Sequence, residues 1–211
     1  MPTALQCEAV PAQPGWEQLD LYRFFAHVLG SPTRERYALL HSREFAASLR
    51  QLWQELLCEG EFPEVAGFRS FAQYEAAYIA LFDVGAPEPP VPLVESAHHK
   101  AIPAQQIALE NVLFYEVLGL HVNAARSFAD HLFTQLEFLS AVRFAGDQSP
   151  AAESRANLAR LERDFLHRHL LNWLPAAEAK LRRLDPPLFP TFLCLLLVFL
   201  QNRLKLLSNG A

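Results

Sequence analysis

Between residues 84 and 94 the chain reads Val-Gly-Ala-Pro-Glu-Pro-Pro-Val-Pro-Leu-Val. No helix interior or central strand accepts that run, because each proline lacks an amide donor and fixes φ. The fold must therefore consist of two stretches of regular structure joined by an extended, polyproline-like connection. On both sides of it apolar residues recur at helical spacing, and strand-like alternation between turn residues is nearly absent. Trp16, Leu19, Leu21, Tyr22, Phe25, Ala26 and Leu29 make one stripe, closed by Gly30-Ser31-Pro32. Thr33 is placed to cap a short helix to Leu40, and Ser42 a longer one carrying Phe45, Leu49, Leu52, Trp53, Leu56 and Leu57. Ser70 with Gln73 forms a capping box that opens a helix through Tyr74, Tyr78, Leu81 and Phe82.

Beyond the proline run, Pro103 is expected as the first residue of a helix that ends at Gly119. Ser127 is expected to cap a helix over 128–144, with Leu132, Leu136, Leu139 and Val142 on one face. A helix over 151–172 follows, broken at Trp173-Leu174-Pro175, then another over 176–184, the Pro186-Pro187 stop, and an apolar last helix to about Leu207. The expected architecture is all-α: a single-domain helical bundle with a long proline-rich loop between its central helices. Residues 1–15 are expected as a flexible N-terminal segment and 16–211 as the helical domain. A long loop inside a compact domain is usually functional, so the proline run is itself a candidate site.

Composition removes several classes of function. With 51% hydrophobic and 19% charged residues the chain has ample apolar surface for a core, which excludes intrinsic disorder. Eighteen basic against 23 acidic residues give a net charge of −5, the wrong balance for a nucleic-acid binder. Cys7, Cys58 and Cys194 are too far apart for a disulfide framework or a zinc-ligand spacing, which suits a reduced, cytoplasmic setting, and Cys194 reads as a small core hydrophobe. The N-terminus lacks the basic and apolar regions of a secretory signal. The apolar run 188–200 is shorter than the roughly 20 residues a membrane span requires, so a buried core helix and no stable membrane insertion are expected.

The chemistry-bearing motifs are sparse. There is no phosphate loop, no Gly-x-Gly-x-x-Gly and no Gly-x-Ser-x-Gly elbow. The histidines His98-His99, His121, His131, His167 and His169 lack a zinc-ligand pattern, although His98, His99 and His131 leave a metal-dependent hydrolase open as an alternative. Asp130 and Glu137 stand seven apart and so share a helical face. By itself that spacing describes a wet surface, and Asp130 at a helix start can simply meet the helix dipole.

Three stretches together resemble the TorD/DmsD/NarJ family of chaperones that mature molybdenum-containing redox enzymes. The first runs Tyr74-Glu75…Tyr78…Leu81-Phe82…Gly85…Pro87…Pro90-Val91-Pro92…Glu95-Ser96. It is similar to the family's Glu-Tyr-x-x-Leu-Phe helix end, Gly-Pro loop and Pro-x-Pro-x-x-Glu-Ser signature. The second, Asp130-His131-Leu132…Leu136-Glu137-Phe138-Leu139, resembles the family's Asp-His helix and follows a fitting Tyr115…Gly119-Leu120 turn. The third, Phe165-Leu166…His169-Leu170…Trp173-Leu174-Pro175, is similar to the family's Phe-Leu…His-Leu…Trp-Leu-Pro segment. The chain departs from the pattern in Val94-Glu95-Ser96-Ala97-His98, where the family has Tyr-Glu-Ser-Val-Tyr, in Ala129 before Asp-His, and in the paired His98-His99. These departures suggest a divergent branch serving type II DMSO reductase family enzymes, those of dimethyl sulfide, ethylbenzene, selenate or chlorate.

The resemblance implies a cytoplasmic, non-catalytic chaperone with no bound cofactor of its own. It implies two client contacts, the twin-arginine signal peptide and the apo-catalytic subunit of a molybdopterin-containing oxidoreductase, held until cofactor insertion. Molybdenum cofactor biosynthesis proteins are further implied partners, the chain being a monomer or homodimer; binding of GTP is left open. Carried onto this sequence, Asp130 would pair with a signal arginine and His131 would hydrogen-bond peptide or brace the groove. Glu95, Glu137, Pro90, Pro92 and Tyr78 are the remaining candidate contacts. The peptide could enter as a helix in a groove or as a strand against the proline loop.

Overall fold

In the computed structural model, which describes residues 20–56, 67–122 and 128–209, nine helices follow one another. They are α1 (Leu21–Val28), α2 (Arg34–Leu40), α3 (Arg43–Glu55), α4 (Phe71–Tyr78), α5 (Ala104–Glu116), α6 (Leu132–Gln148), α7 (Ala152–Phe165), α8 (Leu171–Leu184) and α9 (Phe189–Asn209). The all-α class read from the periodicity holds, with the proline-rich strap between α4 and α5. Residues 1–15, Trp16, Leu19, Cys7, Cys58 and Ser127 lie outside the described residues.

The helix starts have local causes. Oxygens of Asp20, Thr33, Ser42 and Ser70 accept from the amides of Arg23, Arg36, Phe45 and Gln73 at 3.1 to 3.3 Å. Each such cap contributes about 1 kcal/mol. The Ser70 box departs from the usual reciprocal form, since the Gln73 side chain accepts from the Arg69 amide, one residue upstream. Pro103 is the cap residue of α5 and not its first helical residue. At its other end α5 closes through Gly119 at φ +67°, with Leu120 N donating to Tyr115 O and Gly119 N to Glu116 O, the two bonds of a Schellman turn.

The break expected at Trp173-Leu174-Pro175 does not occur. A π-helical turn, Leu166–Leu170, joins α7 to α8, and Pro175 lies inside α8. The bond lost at Pro175 would have reached Leu171, the first residue of α8, beside a π turn that already interrupts the ladder. A second π turn, Ile79–Asp83, extends α4 to the strap.

Helix α6 packs between α1 and α7, and α9 runs against α7 and α8. Helix α9 is long and apolar enough to cross a membrane by length and composition, but its Phe189, Phe192, Leu193, Leu195, Leu196 and Leu200 are fully buried in the core. Phe189 anchors an aromatic cluster with Phe68, Tyr74, Tyr78 and Phe82. Tyr22 and Arg203 both donate to buried Glu162, at 2.6 Å for the phenol and 2.7 and 2.8 Å for the guanidinium, which ties α1, α7 and α9 together. Cys194 is half-buried on α9, less enclosed than its apolar neighbours suggested.

Candidate functional site

The strap is not a free loop. Val91, Pro92 and Leu93 are buried, Val91 N donates to Leu81 O at 2.9 Å, and Val94 makes an isolated antiparallel bridge with His131. Leu132 N donates to Leu93 O at 2.8 Å and Glu95 N to Asp130 O at 2.9 Å. These two hydrogen bonds, which make up the bridge, fasten the strap to the start of α6. Gly85 makes the bend that begins the strap, since a Cβ there would lie 2.1 Å from Glu88 O.

Directly after the strap, the 3-10 turn Glu95–His98 places Glu95 in the interior, at 3% exposure. Its Oε2 accepts from Gln135 Nε2 at 2.6 Å and from Asn111 Nδ2 at 3.1 Å, and His169 Nδ1 lies 3.0 Å away. Asn111 Oδ1 in turn accepts from Gln135 Nε2 and the Tyr115 hydroxyl. One carboxylate therefore joins strap, α5, α6 and the π turn before α8. Buried donors left without an acceptor are costly, so this network specifies how the four segments meet.

Asp130 is also inside, at 3% exposure, with Oδ2 accepting from Ser96 N at 2.9 Å. It does not occupy the first turn of a helix, because α6 begins at Leu132 and not at residue 128. His131 is the cap of α6, its Nδ1 accepting from Phe133 N at 3.1 Å. That bond needs an unprotonated Nδ1, and burial lowers the imidazole pKa against a smaller upward pull from Asp130. His98 stacks on Trp173 and its Nε2 donates to Pro92 O at 2.8 Å. His98 and His131 are spent in these contacts, and His99 lies with its Nε2 3.8 Å from Glu95 Oε1; among the described residues no group of three or more His, Cys, Asp or Glu is placed to hold a metal.

The other candidates part company. Pro92 belongs to the strap junction, while Pro90 is half-buried on the strap. Tyr78 is in the aromatic core, its hydroxyl donating to Leu29 O at 3.1 Å, and burial drives its phenol far above the usual range. Glu137 is exposed on α6. It borders a groove of ≈ 330 Å³ with Leu120, His121 and Val122 on one wall, Phe133 and Ala141 on the other, and Tyr115 and Phe138 below. Partial burial raises its carboxyl pKa, with Arg23 pulling the other way. The site so divides into a closed polar junction and an open apolar groove carrying one carboxylate, both built on α6.

Asn111 and Gln135 were not singled out in the sequence. Their signal was there: each interrupts an apolar helical stripe, Ile107-Asn111-Tyr115 and Leu132-Gln135-Leu139. A polar residue on a core face needs a buried partner.

The chain has relatives among known proteins. Residues 42–179 match the nitrate reductase delta subunit family. The dimethyl sulfide dehydrogenase assembly chaperone protein of Rhodovulum sulfidophilum is 30% identical over 187 residues, 82% of this chain and 72% of that protein. The perchlorate reductase assembly chaperone protein of Dechloromonas aromatica is 28% identical over 169 residues, 76% of this chain and 75% of that one. The selenate reductase assembly chaperone protein of Thauera selenatis is 34% identical over 120 residues, 53% of this chain, and the chain spans 58% of that relative's length. With more than half of its length inside the family match, the chain belongs to the nitrate reductase delta subunit family, the TorD/NarJ group of redox enzyme maturation proteins.

Proposed function

We propose that this protein is a cytoplasmic, system-specific assembly chaperone for the catalytic subunit of a molybdenum-containing oxidoreductase, and that it holds the client's twin-arginine signal peptide while the cofactor is inserted. Its similarity to assembly chaperones of selenate reductase, perchlorate reductase and dimethyl sulfide dehydrogenase supports the assembly role. The observation that carries the peptide role is the groove beside α6, with apolar walls and Glu137 at its rim. A signal peptide offers an apolar segment preceded by cationic residues, and this groove offers the complement of both.

In this reading Glu137 meets an arginine directly. Glu95, Asp130 and His131 act from inside, holding strap and α6 together so that the groove keeps its shape; Pro90, Pro92 and Tyr78 support the strap and the core beneath it. Contacts with cofactor biosynthesis proteins belong to the same role.

Isothermal titration with a synthetic peptide tests this, the peptide carrying two adjacent arginines and an apolar segment of about 12 residues. Glu137→Gln keeps the shape and removes the charge. It is expected to weaken binding by about 3- to 30-fold, and less at high salt. Equal affinity of the folded variant and wild type at low salt removes Glu137 from the site.

A further inference from the structure

Helix α5 carries an apolar stripe on the outside of the molecule. Leu109, Leu113 and Val117 are 58%, 54% and 64% exposed and stand at i, i+4 and i+8, one above the other. A well-packed helix turns such a stripe inward; α5 also has an inward one, Ile107, Asn111 and Tyr115. Past the Schellman turn the outer stripe leads to Leu120, which is itself a wall of the groove. Stripe and groove are thus connected through one stretch of chain. Leu109 to Val117 covers roughly 12 Å along the helix axis, about two helical turns.

Charge selects the occupant. The charged residues of α5 are Glu110 and Glu116, with Arg168 3.6 Å from Glu110, and the groove adds Glu137. Two copies of this surface facing each other would set like charges together, whereas an apolar segment with a cationic end finds complementary groups. Shape selects its conformation. A stripe repeating every four residues receives the ridges of another helix, and the backbone groups of α5 are engaged inside it. Strand addition requires an open sheet edge, and among the described residues β pairing is confined to the Val94–His131 bridge.

We infer that the client's signal peptide binds as a helix laid along α5, its arginine end at Glu137 and its apolar turns running over Val117 and Leu113 toward Leu109. This rests on the signal-peptide reading above and adds to it the surface, the conformation and the direction of the bound segment.

The test uses the full-length chain and the same synthetic peptide. Leu109→Ser with Leu113→Ser changes two exposed positions, so the fold is expected to survive, as circular dichroism will report. This double variant should bind at least about tenfold more weakly, from the lost apolar contact. The bound wild-type complex should gain helical ellipticity at the peptide's expense of disorder. A spin label on the arginine end of the peptide should broaden amide signals near Glu137, and one on the far end signals near Leu109. Undiminished affinity in the double variant, no gain of helix, or the reverse pattern of broadening overturns the inference. If wild type binds the peptide and the double variant binds it equally well, only the α5 surface falls. If wild type binds no peptide, the signal-peptide reading falls with it. A dimer in sedimentation that the double substitution dissolves would assign the stripe to self-association and also overturn it.

Discussion

Glu95 is the residue on which the most segments depend. Three side chains from three other segments point polar atoms at its carboxylate, and all three are buried. Glu95→Ala is expected to lower stability by about 3 kcal/mol, because it strands buried donors as well as removing bonds; urea unfolding monitored by circular dichroism checks it. His131 makes a second prediction. Its folded pKa lies below the unfolded value, so the unfolded chain binds the proton more readily and stability falls as pH drops below about 6.5 toward the folded pKa. Burial acts in the same direction on His98 and His27, with the Pro92 carbonyl partly offsetting it at His98. His131→Asn retains a capping acceptor without the titration and should flatten part of this acid-side loss, read from urea midpoints between pH 5 and 8. A variant with the wild-type slope would show that the cap does not titrate. Glu95, Asp130 and His131 were legible as a constellation through motif resemblance. Their burial was not, because an acid in a polar-looking motif gives no sign of which partners will enclose it.

Among the elements, the strap decides how α6 is presented. Helical periodicity located every helix that the structure describes on both sides of it. The boundaries failed where an unusual residue does an ordinary job: His131 caps α6 in place of Ser127, and Pro175 sits within α8 because a π turn precedes it. Neither follows from propensity, which disfavours both. The proline run lies outside the helices, and its fastening by Leu93, Val94 and Glu95 is a tertiary event that composition does not encode. Gly85→Ala tests the strap as an element. A methyl group there meets the Glu88 carbonyl, and a shift of the bend is expected to cost about 1–3 kcal/mol. Hydrogen exchange should then quicken at the Val91, Glu95 and Leu132 amides before it does in α9; uniform acceleration would mean that the strap and the bundle open as one unit.

At the scale of the whole molecule, an acidic chain with an apolar core leaves part of its apolar surface outside, at the groove and along α5. Monomeric soluble proteins seldom keep contiguous apolar surface exposed without a use for it. The all-α class, the position of the strap and the family are legible in the sequence, since they depend on periodicity, proline and spaced motifs. The groove was not, because it is formed by residues distant in sequence, Leu120 to Val122 against Phe133 to Ala141, that no single pattern links. The central claim is that this surface holds a cationic, apolar peptide. The most direct measurement is isothermal titration of the full-length wild-type chain with the twin-arginine peptide, beside a control in which both arginines are glutamine and the apolar segment is Gly/Ser. Saturable one-to-one binding of the first and none of the second is the predicted result; no binding of either, or equal binding of both, would contradict it.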